Sequence, residues 1–364
     1  MKYKSLIFLI IGLLILGIML WFIGIDQIIA AIQLANIWLI LLAIAIQGLV
    51  YVLYSIRWQI INKIGNIDVG VKKLLPMIVV GLTISNLTPS GRTGGEPVKA
   101  YMLSKEANVP LEETFATVIS DKLLDTFPFI VLALISIIAV AISASLPFWI
   151  MGIMVIGIIF ISIILIFLIY MSFNENFANK IVDWCVRIVK KFYKKNPEKT
   201  ELKVREIIIG FQKTMALMIS HKNVLYYALP LSFVTWVIEI LRVYIVFLAF
   251  GFNISPLLIG EIFIIASLIG MVPLLPGGLG AVDGVMILFF ATVGIPPSIS
   301  AAATVIERLI SFWLVTIAGT LILPFYGSSV MKKISSVETG EENPVEDIED
   351  ELTYISHENE SKKD

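Results

Sequence analysis

Charged side chains set among prolines, glycines and long apolar runs are where this sequence could do chemistry. The stretch NLTPSGRTGGEPVKAYMLSKE, from Asn86 to Glu106, places Arg92, Glu96 and Lys99 around Gly94 and Gly95, with Pro89 and Pro97 on either side of the glycines. A later stretch, VPLLPGGLGAVDGVMILF, places Asp283 just after Gly277 and Gly278. In TWVIEILRVYIV, Glu239 and Arg242 stand three apart, on one helix face and able to pair. Glu307 and Arg308 sit together in IERLISFW. Fixed cations, exposed backbone N–H groups and helix N-termini together favour anions, phosphate above all. The carboxylates would neutralise those cations in an empty site, or hold a basic headgroup. No catalytic residue, metal or cofactor is expected. Cys185 is the one cysteine, which rules out an internal disulfide and a multi-cysteine metal site. His221 and His357 fall outside the apolar runs, which argues against zinc hydrolase or His-based phosphatase chemistry. The chain has no G-x-x-x-x-G-K-[ST] signature, so ATP is not expected to drive it directly.

The elements that must position these groups are membrane spans. The chain is 58% hydrophobic and 15% charged, with a mean hydropathy of +0.93. A soluble protein would carry roughly a quarter charged residues. Apolar runs near 5–24, 36–60, 114–144, 147–172, 223–250 and 298–326 predict six crossings. Two shorter runs, near 74–88 and 257–275, each lead into a Gly/Pro-rich segment. The first run has no A-x-A-like cleavage site and reads as a retained span. The net charge of -1 says little, because the charges are segregated. Lys2, Lys4, Lys63, Lys72, Lys73, Lys99, Lys105, a basic block over 180–222, Lys332 and Lys333 all fall on one alternate side. The positive-inside rule then places both termini in the cytoplasm of a multi-pass cell-membrane protein. Trp21, Trp38, Trp58 and Trp149 lie near predicted span ends, where amphipathic rings settle.

The two Gly/Pro segments are related. A displacement of 187 residues puts Pro89 on Pro276, Gly91 on Gly278, Glu96 on Asp283 and Pro110 on Pro297. It also puts Ala116–Ile119 (ATVI) on Ala303–Ile306 (ATVI), and one gap later Asp121-Lys122 faces Glu307-Arg308. We read this as an internal duplication. Three crossings separate the two units, an odd number, so they are expected to be inverted with respect to one another. Inverted repeats with interrupted helices are the layout in which transporters bind cargo near the midplane. Each Gly/Pro segment is then expected to be the tip of a re-entrant hairpin, tolerated at depth because protein or a wet cavity satisfies its backbone; the alternative for the first is an ordinary cytoplasmic loop between a short span and an amphipathic helix. The predicted fold is an all-α polytopic bundle of two inverted repeats, each with a re-entrant broken-helix hairpin, over residues 1–330.

Three further features complete the reading. Asp121, Lys122 and Asp125 open the third span, Asp121 and Lys122 are expected at the interface, and Glu261 lies near the start of the second short segment. In the cytoplasmic segment 174–222, Ile181, Trp184 and Ile188 alternate with cations at helical spacing. That pattern suits a basic amphipathic helix on an anionic leaflet, or a solvated helical hairpin. Residues 331–364 are acidic and polar and read as a disordered tail. No nucleic-acid motif is present, so no such partner is expected.

TPSGRTGGEPVKAYMLSK, LPGGLGAVDG and the closing IERLISFW, in this order, resemble the transmembrane region of lysylphosphatidylglycerol synthases, a flippase-like family. The resemblance covers residues 1–326 and implies a multi-pass bundle. The best-understood members translocate aminoacylated phosphatidylglycerol, and relatives are linked to polyprenyl-phosphate-dependent glycosylation. By position it implies that Arg92, Glu96, Lys99, Asp283, Glu307 and Arg308 belong to the working site. Two departures stand out: Asp283 replaces a more usual Glu, and Lys99 a frequent Arg, which removes bidentate phosphate recognition there. The soluble aminoacyl-transferase domain of the bifunctional synthases has no counterpart in this sequence, so the resemblance implies translocation without synthesis. The leading expectation is a lipid translocase, flippase or scramblase, for an anionic phospholipid or a polyprenyl-phosphate-linked lipid, with a separate lipid-modifying enzyme as a partner. The alternatives are a secondary transporter of a small soluble anion, and a membrane-embedded lipid-phosphate glycosyltransferase or an accessory protein.

Overall fold

A computed structural model describes residues 21, 25–88, 93–143, 148–192, 197–271 and 275–326. The predicted first span (Trp21 apart), Arg92 and the acidic tail with His357 lie outside the described residues. Among the described residues every regular element is a helix. Helix α1 spans Ile25–Leu34, α2 Ile37–Ile64, α3 Val71–Leu87, α4 Glu96–Ala107, α5 Leu111–Ser143 and α6 Phe148–Phe173. They are followed by α7 Glu175–Phe192, α8 Pro197–Ser220, α9 Leu229–Ala249, α10 Pro256–Gly270, α11 Ala281–Thr292, α12 Pro297–Arg308 and α13 Leu314–Ile322. Two π-helical turns, Val224–Ala228 and Leu309–Trp313, make α9 and the α12–α13 pair continuous rods with what precedes or joins them.

Five rods are long and apolar enough to cross a membrane: Ile37–Ile64, Leu111–Ala139, Val155–Phe173, Val224–Ala249 and Pro297–Phe325. They coincide with five of the six predicted crossings. Asn36 shows how one begins: it stands in extended backbone and its side chain accepts the Trp38 N–H at 3.0 Å, which caps α2. Trp21 and Trp38 are exposed, as rings at a span end should be, whereas Trp58 is 1% exposed and belongs to the core.

Two helices stop short. Thr88 leaves the helical region (φ -105, ψ 141) because a proline follows it, and α3 ends. Past α10, Gly277, Gly278 and Gly280 take positive φ values of 54, 68 and 78, a backbone that only glycine adopts at little cost. Each break then folds back on its own helix. Gly95 N–H donates to Ser85 Oγ at 2.9 Å, and a side chain at Gly95 would run into the backbone of Gly81. A side chain at Gly278 would meet the Cα of Gly270 at 3.0 Å.

The displacement of 187 residues reappears in the helix boundaries. It carries Ile37, Val71, Glu96 and Leu111 to 224, 258, 283 and 298, each within two residues of a helix start at 224, 256, 281 or 297. The contacts repeat too: α3 packs on α13, and its counterpart α10 packs on α5. At the centre, α2 packs along its own counterpart α9 and runs antiparallel to it. Asn36 N–H donates to Ala249 O at 2.8 Å at one end, while Arg57 Nη1 donates to Ser232 Oγ at 3.1 Å near the other. The antiparallel α3–α13 pair is sealed where Gly319 meets Thr83, whose hydroxyl donates to Val315 O at 2.9 Å. The largest apolar cluster joins α5, α9, α10 and α11, with Phe247 and Phe290 rings 4.1 Å apart. The basic segment forms a helical hairpin in which α7 and α8 pack together, with Arg205 and Asp183 2.6 Å apart, and α8 lies along α5.

The Gly95–Gly81 approach gives a stability prediction. Gly95→Ala should destabilise by about 1–3 kcal/mol through overpacking. Gly48→Ala, at a position with nothing within 4 Å of a new Cβ, should be neutral or better. Thermal unfolding in detergent reads both, and equal melting temperatures would contradict the packing described.

Candidate functional site

One face of each central helix supplies polar groups at helical spacing. On α2 these are Gln47, Tyr51, Tyr54 and Arg57, and on α9 Trp236, Glu239 and Arg242. They border a cavity of about 160 Å³ between the rods. Helix α5 adds Asp121, Lys122 and Asp125, and the first break delivers Glu96 and Lys99 from the first turn of α4. The second break brings Gly277, and the rod beyond it brings Glu307, Arg308 and Ser311.

The charges are paired across elements. Arg57 of α2 lies 2.6 Å from Asp121 and 2.9 Å from Asp125, both on α5. Arg242 of α9 donates to Glu307 of α12 at 2.7 Å, with both side chains almost wholly buried. These two clamps correspond: each ties the arginine of a central helix to the carboxylate that follows an ATVI run. A second pair of contacts also corresponds. Glu96 binds Lys99 on its own helix and faces Lys122 of α5 at 4.0 Å, while Asp283 lies 2.9 Å from Arg308. Arg308 also donates to Gly277 O at 3.0 Å, so it straps the second break to α12. Aromatic faces back the cations, with Tyr54 5.0 Å from Arg57, Trp58 5.7 Å from Lys99, Phe263 5.9 Å from Arg242 and Phe312 4.7 Å from Arg308. Tyr54 donates to Glu239 at 2.6 Å. Among the described residues that line the cavity, Arg57, Lys99, Lys122, Arg242 and Arg308 stand against Glu96, Asp121, Asp125, Glu239 and Glu307, so the lining is neutral.

Of the expected site residues, Glu96, Lys99, Gly277, Glu239, Arg242, Glu307 and Arg308 reach this one cavity. Asp283 sits just behind it on Arg308, and Gly95 and Gly278 shape the breaks. Gly94 opens the turn before α4, Arg92 lies outside the described residues, and Glu261 is not among the lining residues. Asp121 is buried against Arg57. Arg57 and Tyr54 escaped the sequence reading because they fall close to a predicted span end. The signal was Asp121 and Asp125, four apart on one helix face and in need of a cation from another element. One expectation changes in kind. The N-terminus of α11 is filled by its own Asp283, whose Oδ2 accepts the Gly280 N–H at 2.7 Å. A carboxylate of the chain itself therefore stands at that helix end. No cluster of metal-ligating side chains occurs among the described residues.

The buried clamp can be tested directly. Glu307→Gln would strand Arg242, at a cost of about 3–5 kcal/mol. Replacing both, as Arg242→Met with Glu307→Leu, should recover most of that loss. A double substitution that costs the sum of the two single ones, read by thermal unfolding in detergent, would show that the pair carries no coupling.

The sequence of this chain matches the family described as the lysylphosphatidylglycerol synthase TM region over residues 9–319. It is 46% identical to a UPF0104 membrane protein of Methanothermobacter thermautotrophicus over 334 residues, covering 92% of this chain and 99% of the relative. It is 31% identical to UPF0104 membrane proteins of Pyrococcus horikoshii and Methanocaldococcus jannaschii, covering 88% and 91% of this chain and 96% and 97% of those proteins. The matched region contains both breaks, both buried clamps and the cavity between them, and the chain belongs to the lysylphosphatidylglycerol synthase transmembrane-region family.

Proposed function

We propose that this protein is a lipid translocase, a flippase or scramblase, for an anionic phospholipid or a polyprenyl-phosphate-linked lipid. The observation that carries the reading is a cavity lined with paired charges inside an apolar bundle, reached by both helix breaks. Ionisable groups in that setting usually mark a cargo or ion path. In this reading the two units are inverted repeats, supported by corresponding helices α2 and α9 that run antiparallel. The breaks are the tips of re-entrant hairpins. Helices α3 and α10, with 17 and 15 residues, extend only about 26 and 23 Å, short of a hydrocarbon core of about 30 Å. Both termini face the cytoplasm.

Lys99 and Lys122, with Arg92 from the first break, would hold the phosphate while the acyl or prenyl tails stay in the bilayer. Glu96 occupies those cations when the site is empty. Movement is rocking of one unit against the other, driven by a gradient and not by ATP, and a separate lipid-modifying enzyme supplies or consumes the lipid. The test is a quenching assay on proteoliposomes that carry a trace of fluorescent phosphatidylglycerol or polyprenyl phosphate. Wild-type protein should expose the inner-leaflet label. Lys99→Gln with Lys122→Gln should slow exposure about tenfold or more, the loss of a charge-assisted contact. Protein that moves neither lipid under any gradient would remove this reading.

A further inference from the structure

The neutrality of the lining has a consequence for how an anion can enter. Among the described residues, five cations and five carboxylates border the cavity, and each of these cations already has a carboxylate partner. Asp283, just behind the lining, adds one more negative charge. A phosphate monoanion placed among them leaves one unit of negative charge uncompensated in a setting of low dielectric, which is strongly disfavoured. Something positive must arrive with it.

The geometry selects where. Asp121 and Asp125 hold Arg57, Glu307 holds Arg242, and Asp283 holds Arg308, all at 2.6–2.9 Å. Glu239 accepts from Tyr54 at 2.6 Å. These contacts are short, and those of Asp121, Glu307 and Asp283 are buried. Glu96 differs. It meets Lys99 from its own helix through one oxygen, and Lys122 of α5 stands off at 4.0 Å from the other. Lys122 is also the most exposed cation of the lining, with 28% of its side chain accessible. These lysines are the cations most available to a phosphate, and a phosphate bound there sits beside the Glu96 carboxylate. Two anions that share one pair of cations cannot both stay charged without cost, and the weaker acid takes the proton.

We infer that cargo phosphate and one proton enter this site together, the phosphate on Lys99 and Lys122 and the proton on Glu96. The inference rests on the translocase reading for the identity of the cargo, and on the charge pairing alone for the proton. A water-borne proton adds to the Glu96 carboxylate, whose new O–H then donates to a phosphate oxygen. Release on the opposite side returns both, and the step moves no net charge. Anion binding is thereby linked to pH, and a proton gradient alone can drive the cargo across.

Calorimetry on the full-length protein in detergent, in buffers of different ionisation enthalpy, counts the protons taken up on binding. Short-chain phosphatidylglycerol is the lipid probe, and sulfate, which does not titrate near neutral pH, is the soluble one. We expect about one proton per bound phosphatidylglycerol in wild type and none in Glu96→Gln. If that variant does not fold, wild-type affinity still reports the linkage, because it should fall about tenfold for each unit of rising pH. Lipid binding without proton uptake, and with a flat pH dependence, overturns the inference and leaves the translocase reading standing. Sulfate binding with proton uptake and no lipid binding does the reverse: the Glu96 coupling survives and the lipid reading fails. Absence of binding by either probe overturns both.

Discussion

Moving an isolated carboxylate or guanidinium into an apolar interior costs several kcal/mol even after relaxation, and ten described side chains of this kind border one cavity here. That constraint organises the bundle. Apart from Glu96 and Lys99, which meet on one helix, these ions find their opposites on other elements, so the pairs decide which helices touch. Arg57 holds α2 to α5, Arg242 holds α9 to α12, and Arg308 holds the second break to the rod after it. Apolar packing around Phe247, Phe290 and Trp236 supplies most of the contact area. It does not specify register, because one Ile- or Leu-rich helix fits against another in many ways. The buried pairs remove that freedom, since any other register would strand a charge.

The same pairs give the cavity its chemistry. A site made of cations alone would bind phosphate tightly and release it slowly. Here the two halves carry matching clamps, and they differ in tightness. Around the second break, Asp283 and Arg308 are in direct contact and buried, whereas around the first, Lys122 stands off from Glu96 and is partly exposed. In the proposed translocase, that difference would mark one state of a rocking movement. Glycines allow it by letting backbones meet: Gly95 lies on Gly81, and Gly278 on Gly270.

Much of this was legible in the sequence, and for identifiable reasons. Spans announce themselves through length and hydropathy, so five of the predicted crossings reappear as rods with ends shifted by only a few residues. The displacement of 187 residues was visible because prolines, glycines and the ATVI tetrapeptides keep that spacing through a background of Ile and Leu. Pairing was harder to read. Glu239 and Arg242 look like a local pair, yet Arg242 reaches Glu307, 65 residues away, and sequence spacing carries no signal for such a contact. Arg57 drew no expectation, because its two carboxylate partners lie on α5, far away in sequence. The filling of the α11 N-terminus by Asp283 likewise needed the positive-φ turn at Gly280 to bring that carboxylate back on itself.

The central claim is that this cavity recognises an anionic lipid headgroup through the cations around Glu96. Lipid mass spectrometry on gently purified protein tests it most directly, with wild type compared against Lys99→Gln combined with Lys122→Gln and, separately, against Arg92→Ala. Wild type should retain one class of anionic lipid well above its share of the surrounding membrane, and the variants should lose that enrichment while keeping the bulk lipids. Wild type and variants that all carry lipid in ambient proportions would contradict the account.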